Sequence, residues 1–444
     1  MKGSGLIVAA VILAGLVGAL YWSNHHKPAE TTEASADVAP KILAVKTPEI
    51  SKFDLKKDGT EQVAAERNGA GQWRITAPAT LPADQSAVSS LLGTFSSLNS
   101  ERLVEEKTAN LAPYGLDAPK FEVDLTEKNN QTQSLLLGDT TPAGNAIYAK
   151  LGGDPRIFTI PSYDKTSIDK SANDLRDKRL LTVNADKISE VDLVAKNQEI
   201  GFGRNKDEWQ IVKPKPLRAD QSQVDSLVRA LTDAKMELSA TDDQKKTASA
   251  FATATPVATA KVTAESGTQE LQVRKNKDEY YAKSSAVEGV FKVSNTLGQA
   301  LDKNLEDFRN KKLFEFGSDD PNKIEVRDGS KTYFFTRSGQ DWWSGDAKKQ
   351  DPGTAQDLVD KIRELSSSRF VDSGFTAPII DLTVTSGDGK NVEKVSISKA
   401  GDKYIAMREN EPATLYQLEP KAVQDLTRSA ATVKPATAAA SGHS

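Results

Sequence analysis

The chain has 444 residues, more than the roughly 250–300 residues at which a single hydrophobic core stops growing, so several domains are expected. The formal net charge of −4 lacks the basic excess of nucleic-acid-binding domains, and nucleic acid is not an expected partner. Cysteine is absent, which excludes disulfides, thiolate metal sites and cysteine nucleophiles.

An uncharged apolar run, Leu6–Trp22, lies near the start of the chain. As a helix it would be about 25 Å long, slightly short of the ~30 Å hydrocarbon core of a bilayer. We predict a transmembrane anchor over residues 1–24, with residues 6–22 in the membrane. Small residues within the run also suit signal peptidase, so a cleaved signal stays open as the alternative. Lys2 favours a cytoplasmic N-terminus and an extracytoplasmic body.

Two segments are poor in apolar residues. Residues 25–47 and 431–444 consist mostly of small, polar and charged residues that bury little apolar surface. They are predicted to be a flexible linker and a disordered tail.

Internal repeats occupy the rest of the chain. Trp73 and Trp209 are 209 − 73 = 136 residues apart, and the text after them matches, with LPADQSAVSSLL from Leu81 and LRADQSQVDSLV from Leu217. A fainter third copy has DPGTAQDLVDKI from Asp351. We therefore predict three diverged units, over residues 48–183, 184–317 and 318–430.

Each unit is predicted to contain one amphipathic helix with an aspartate at its start. The helices carry apolar residues at i, i+3, i+4 and i+7 spacing, which places one stripe on a core: Val88, Leu91, Leu92, Phe95 and Leu98, then Val224, Leu227, Val228 and Leu231, then Ala355, Leu358, Val359 and Ile362. Asp84, Asp220 and Asp351 precede these stripes and are interpreted as N-caps.

Short segments with alternating apolar and polar residues surround each helix, for example FEVDLTE from Phe121 and EYYAKS from Glu279. Such alternation, interrupted by short turns, is typical of antiparallel sheets. The predicted fold class is α+β, with a transmembrane helix followed by three tandem units of mainly antiparallel sheet and packed helices.

A basic motif closes the first two units. It reads Asp174-Leu-Arg-Asp-Lys-Arg-Leu in unit one and Asp307-Phe-Arg-Asn-Lys-Lys-Leu in unit two, and we assign it to a closing helix. Its cations Arg176, Lys178, Arg309 and Lys311 are the candidate interaction surface for an acidic partner or a lipid headgroup. The alternative is structural, since cations in the last turn of a helix favour its dipole.

No catalytic, cofactor-binding or metal-binding residues are predicted. The three histidines, His25, His26 and His443, lie in the linker and tail, so the units hold no Ser-His-Asp triad and no histidine metal site. No phosphate-binding loop motif occurs. The protein is therefore predicted not to be an enzyme.

Two other functions stay open on the residues. A glycan-binding module would depend on exposure of the aromatic pairs Tyr280-Tyr281 and Trp342-Trp343. A carboxylate-dependent hydrolase is the remote alternative, because it needs two acids facing each other in a pocket. The adjacent acid pairs Glu105-Glu106, Asp242-Asp243 and Asp319-Asp320 are interpreted as solvated loop charges.

The chain resembles the bacterial domain of unknown function 4340 family over roughly residues 48–430. The resemblance rests on the combination of the anchor, the W-x-[IV]-x-x-P strands, the ADQS helix starts and the closing motifs D-[LF]-R-[DN]-K-[RK]-L. The third unit departs from this pattern because it lacks the closing basic motif. The resemblance implies a bacterial envelope protein, frequently encoded beside gliding-motility-type ABC transporter components, with no established activity. We expect a single-pass inner-membrane protein with its body in the periplasm, acting as a scaffold or accessory protein for an envelope partner such as an ABC transporter component.

Overall fold

The computed structural model describes residues 42–239, 243–316 and 321–436. They belong to two compact units, Met1–Lys178 and Arg179–Ser444, of which the first contains one repeat and the second contains two. The predicted anchor over residues 6–22 lies outside the described residues, as does most of the predicted linker. Among the helices within these described ranges, none combines the length and apolar character needed to cross a bilayer.

Each repeat has one sheet, and every strand pairing assigned in these sheets is antiparallel. The first sheet has the order β4-β3-β2-β1-β6-β7-β8-β9-β5. In chain order its strands β1 to β9 are Ile50–Lys57, Thr60–Arg67, Trp73–Ala77, Leu81–Pro82, Arg102–Glu105, Phe121–Glu127, Thr132–Thr140, Ala146–Leu151 and Ile157–Pro161.

The other two sheets have the same central strand order, but over the described residues the second has no counterpart of β5 and the third has no counterpart of β4. The second has the order β13-β12-β11-β10-β14-β15-β16-β17, with β10 to β17 being Ile188–Ala195, Gln198–Asn205, Glu208–Lys213, Leu217–Arg218, Thr255–Ala264, Gly267–Asn276, Glu279–Ser284 and Val290–Val293. The third has the order β20-β19-β18-β22-β23-β24-β25-β21, with β18 to β25 being Lys323–Asp328, Lys331–Ser338, Asp341–Ser344, Arg369–Val371, Pro378–Ser386, Asn391–Ala400, Lys403–Arg408 and Glu411–Leu418. The α+β class and the mainly antiparallel sheets are thus confirmed.

Helices lie between the strands of every repeat. The first repeat contains α1 to α3, at Gln85–Ser97, Ser162–Ile168 and Ala172–Leu175. The second contains α4 to α7, at Gln221–Thr232, Gln244–Thr253, Asn295–Leu301 and Leu305–Phe308. The third contains α8 and α9, at Pro352–Glu364 and Pro420–Thr432, and short 3-10 turns occur at Thr47–Glu49, Ala112–Tyr114, Ala185–Lys187 and Gly387–Gly389.

The predicted amphipathic helices α1, α4 and α8 are confirmed. All of their predicted stripe residues are buried in the cores of the three repeats. The aspartate N-caps are also confirmed, because Asp84 accepts from the Ser86 and Ala87 amides, Asp220 from Gln223 and Asp351 from Thr354. Pro352 occupies the first turn of α8, where its missing N–H costs nothing.

A glutamine beside two of the caps ties each helix to its tryptophan strand. The Trp73 amide donates to the Gln85 side chain (2.8 Å), which donates back to the Trp73 carbonyl (3.0 Å). Gln221 makes the same two bonds with Trp209, both at 2.8 Å. The ADQS text therefore encodes a helix cap and a strand clamp together.

Each repeat begins earlier than predicted, with a short apolar segment that we call the lead-in (residues 42–45, 180–183 and 313–316). Its apolar side chains, apart from the exposed Ala44, are buried in the core of the repeat that follows. The amide of its first residue donates to a backbone carbonyl just after the amphipathic helix (α1, α4 or α8) of the same repeat. The pairs are Ile42 to Leu98 (3.1 Å), Leu180 to Ala234 (2.8 Å) and Leu313 to Leu365 (3.0 Å). Residues 42–47 therefore belong to the first folded repeat and not to the linker.

The basic motif does not close a helix, contrary to the prediction. The helices α3 and α7 end at Leu175 and Phe308, and the chain then continues in extended conformation as the closing segment (residues 175–178 and 308–311). This segment is hydrogen-bonded to the chain at the end of the sheet. The backbone amides of the N-cap residues Asp84 and Asp220 donate to the carbonyls of Leu175 and Phe308, both at 2.8 Å. Its cations thus lie beyond these four-residue helices, in a strand-like edge that covers β4 or β13.

The third repeat has a closing segment as well, although it lacks the basic motif. The Asp351 amide donates to the Lys434 carbonyl (2.7 Å), and the Ala436 amide donates to the Lys349 carbonyl (2.8 Å). Residues 434–436 therefore take the place of the basic motif. The helix α9 continues to Thr432, so residues 431–436 are part of the fold and not of a tail.

Candidate functional site

The predicted interaction residues lie in the two closing segments. Arg176 forms a strand bridge with Ala83, and Arg309 forms the equivalent bridge with Ala219. Lys311 is exposed, whereas Arg176, Lys178 and Arg309 are half-buried.

Arg309 lies at the junction between the second and third repeats, both of which belong to the second unit. Its guanidinium stacks on the Phe370 ring, 3.4 Å from the ring centroid, and its Nη1 pairs with Glu306 at 2.9 Å. Only 12% of the Arg309 side chain is exposed. A cation held over an aromatic face contributes about 0.5–2 kcal/mol. Arg309 therefore joins two repeats of the same chain.

Arg218 crosses the same junction from β13. Its Nη2 lies 3.2 Å from Glu315 Oε1 and donates to the Lys312 carbonyl at 2.9 Å. Its Nε lies 3.5 Å from Glu411 Oε1 on β25 of the third repeat. The side chain is 17% exposed, so these partners compensate a cation that is largely removed from water.

A buried ion pair continues the network into the third sheet. Arg408 is 4% exposed at its side chain, and its Nη2 pairs with Glu393 Oε1 at 2.9 Å. The Glu393 carboxylate also accepts the Glu315 amide, at 3.0 and 3.1 Å. Tyr416 donates its hydroxyl to Glu411 Oε2 at 2.7 Å. We call Arg218, Glu315, Glu393, Arg408, Glu411 and Tyr416 the junction network.

Burial and neighbouring charges set the protonation of this network. Burial disfavours the charge on Arg218, but Glu315, Tyr416 and Glu411 outweigh it and raise the pKa of the guanidinium above its ordinary value. Burial, followed by the hydrogen bond to Glu411, raises the pKa of the Tyr416 phenol. Arg218 and Tyr416 therefore keep their protons at neutral pH, which suits a fixed electrostatic lock better than an acid–base centre.

An open cleft of about 710 Å³ lies above the network, between the end of the second sheet and β25 of the third. Three of its lining residues are glutamates, Glu208, Glu315 and Glu411, against one cation, Arg218. Pro216, Leu217, Pro412 and Ala413 add apolar surface. We call this the junction cleft and treat it as the candidate binding site.

The structure also places the aromatic residues of the glycan hypothesis. Tyr280 and Trp342 are buried in the second and third cores, and Tyr281 and Trp343 are half-buried. Tyr281 donates its hydroxyl to Glu279 at 2.6 Å. Two of the four rings are therefore unable to stack on a ligand.

Two acidic residues assigned to loops have structural partners instead. Asp243 caps α5 by accepting the Lys245 and Lys246 amides at 2.8 and 3.4 Å. Glu105 lies in β5 and accepts the Tyr114 hydroxyl at 3.2 Å. Both side chains are exposed, as expected for solvated charges, but Glu105 lies in a strand and not in a loop, while Asp242, Asp319 and Asp320 lie outside the described residues.

The histidines at positions 25, 26 and 443 also lie outside the described residues. Over the part of the chain that the structure describes, no group of three or more histidine, aspartate or glutamate side chains is arranged to hold a metal ion.

The junction network was not predicted from the sequence, although two signals for it exist. Arg218 replaces Pro82 within the otherwise matching LPADQS and LRADQS text. Glu393 replaces Gln133 and Gln269, whose side chains accept the Ala44 and Thr182 amides of the first two lead-ins at 3.2 and 2.8 Å. Departures from a repeated pattern at paired positions thus mark the junction.

Comparison with known families adds one match. A family model described as Domain of unknown function (DUF4340) matches residues 73–208 and 209–380. The two matches start at Trp73 and Trp209, which are one repeat period apart, and both cross the structural boundaries of the repeats. No curated protein matches the chain.

Proposed function

Because the chain belongs to the DUF4340 family, whose description assigns no activity, we propose its function from its architecture. It is a non-catalytic scaffold or accessory protein, anchored in the bacterial inner membrane through residues 6–22, with its repeats in the periplasm. Its partner is another envelope protein, and an ABC transporter component is the leading candidate.

The junction cleft is the observation that carries this proposal. Ion pairs and a cation–π contact hold the second and third repeats together, and the cleft above them is lined by exposed residues such as Glu208 and Pro412. A site between two elements that are fixed relative to each other presents a constant surface to a partner, which reduces the ordering cost of binding. The arrangement therefore favours recognition.

The same geometry argues against a carboxylate-dependent hydrolase. Such an enzyme uses one carboxyl group as an acid and a second as a base or nucleophile. In the junction cleft Glu315 and Glu411 both pair with the single guanidinium of Arg218, at 3.2 and 3.5 Å. The two carboxylates thus share one cation in a structural ion-pair network and are not arranged as an acid and a base.

Co-purification from native membranes tests the proposal. The full chain with an affinity tag is solubilised in mild detergent, and its co-purifying proteins are quantified against a control that carries the tag on residues 1–41 alone. We expect envelope proteins, including a transporter component, to be enriched at least about fivefold over the control. A full chain that enriches no envelope protein would refute the scaffold proposal.

A further inference from the structure

The junction cleft has an excess of negative charge. Its lining includes three glutamates, Glu208, Glu315 and Glu411, and a single cation, Arg218. Arg218 is already engaged by Glu315 and Glu411, and Glu208 is exposed at the mouth of the cleft. A positively charged group entering the cleft would meet complementary charge, whereas an anion would meet repulsion.

The wall formed by β25 offers backbone groups without a strand partner. On one side of β25, β21 pairs only with residues 415–417. On the other side the register passes from Arg408–Glu411 directly to Met407–Leu415, which leaves residues 412–414 unpaired with β24. Within the described chain these three residues have no strand neighbour, and all three line the cleft. Pro412 has no N–H, so this wall offers an extended peptide backbone at most the amides of Ala413 and Thr414 together with the three carbonyls.

We propose that the junction cleft binds an extended segment of a partner polypeptide that carries a lysine or arginine side chain. The basic side chain lies toward Glu208 and Glu411, and the backbone of the segment runs beside residues 412–414. The cleft volume of about 710 Å³ is within the roughly 300–1,000 Å³ of clefts that bind drug-sized ligands. This inference deepens the proposed scaffold function and rests on it.

Two synthetic peptides test the charge requirement. One has four Ser-Lys pairs, which put all lysines on one side of an extended strand, and the other has four Ser-Gln pairs. Binding of each to the full chain in detergent is measured by fluorescence anisotropy at about 0.15 M salt, where distant charges are screened. We expect the lysine peptide to bind at least about tenfold more tightly.

A matched pair of charge reversals locates the binding. Glu208→Lys changes the cleft, and Glu288→Lys makes the same change at an exposed position of the same repeat outside the cleft lining. We expect Glu208→Lys to weaken the lysine peptide about fivefold or more and Glu288→Lys to weaken it less than about twofold. Both positions are exposed, and circular dichroism verifies that each variant is folded.

The outcomes separate the two proposals. Equal effects of the two reversals would mean diffuse attraction to an acidic protein, and equal binding of the two peptides would remove the charge argument; either result overturns the cleft proposal. If Glu208→Lys also co-purifies its envelope partner as well as the wild type does, the scaffold function stands without the cleft. If the wild type captures no envelope partner, the scaffold function itself falls.

Discussion

Replacing Glu393 with glutamine is expected to destabilise the third repeat while leaving its shape intact. Glutamine stands at the equivalent strand position in the first two sheets and accepts the lead-in amide there, so the bond from the Glu315 amide survives the change. The charge opposite Arg408 is lost. Arg408 is 4% exposed at its side chain and cannot turn to water.

The structure sets the magnitude. Removing one partner of a buried ion pair costs about 3–5 kcal/mol, because the other charge stays buried. Glu315 Oε2 remains 4.0 Å from Arg408 Nη1 and compensates part of that charge. We therefore expect a loss near the lower end, about 3 kcal/mol.

Hydrogen exchange of peptides from residues 323–344, measured on the full chain, reports the opening free energy of this repeat separately from the others. The control is the double variant Glu393→Gln with Arg408→Leu. Leucine is chosen because Leu151 occupies the equivalent position of the first sheet, where it pairs with Leu135 as Arg408 pairs with Val395. The double variant should recover about 2 kcal/mol or more. A loss below about 1 kcal/mol in the single variant, or no recovery in the double, would show that the Arg408 charge is not the cause.

Other expected outcomes concern a tight contact, a cap and a pH dependence. Gly298→Ala would put a Cβ 2.1 Å from Tyr280 Cδ1, so we expect the free energy of unfolding measured by urea denaturation to fall by about 3 kcal/mol. Adding Tyr280→Ile should recover part of this loss, and an unchanged midpoint in Gly298→Ala would contradict the contact. Asp220→Ala should cost about 1 kcal/mol and increase exchange in the first turn of α4, whereas Asp220→Asn should cost little. The hydrogen bond from Arg156, which outweighs burial, holds the pKa of Asp154 at about 2, below its ordinary value, so the contribution of the pair is present above about pH 4 and is lost as the pH falls toward 2. Arg156→Gln should raise that pKa toward 3.8 in a carboxyl NMR titration, and a pKa that stays near 2 would contradict this cause.

Local signals in the sequence account for the parts of the fold that were predicted correctly. The stripes of α1, α4 and α8, and the aspartates before them, depend on residues within about four positions of each other. The helix α5 was missed because it has no such stripe: Phe251 is its one buried residue. A pattern method has nothing to detect in that segment.

The remaining errors come from contacts that are distant in sequence. Leu180 is the last residue of the basic motif, and nothing in its neighbourhood indicates that its amide bonds to Ala234, 54 positions later by 234 − 180. Arg309 was assigned to a helix end, but its position over Phe370 depends on the packing of two repeats. The candidate site is built from such contacts, so its residues could be found only once the sheets were placed.

The closing segment and the lead-in fix a distance as well as an order. In the second unit the Asn310 amide bonds to Arg218 of the second repeat, and the Leu313 amide bonds to Leu365 of the third, with only Lys311 and Lys312 between these two donors. Three extended residues span at most about 11 Å, so the connection has no slack. The second and third sheets therefore cannot separate by a hinge motion unless one of these hydrogen bonds breaks. One residue inserted between the two donors would shift the register of the hydrogen bonds that follow.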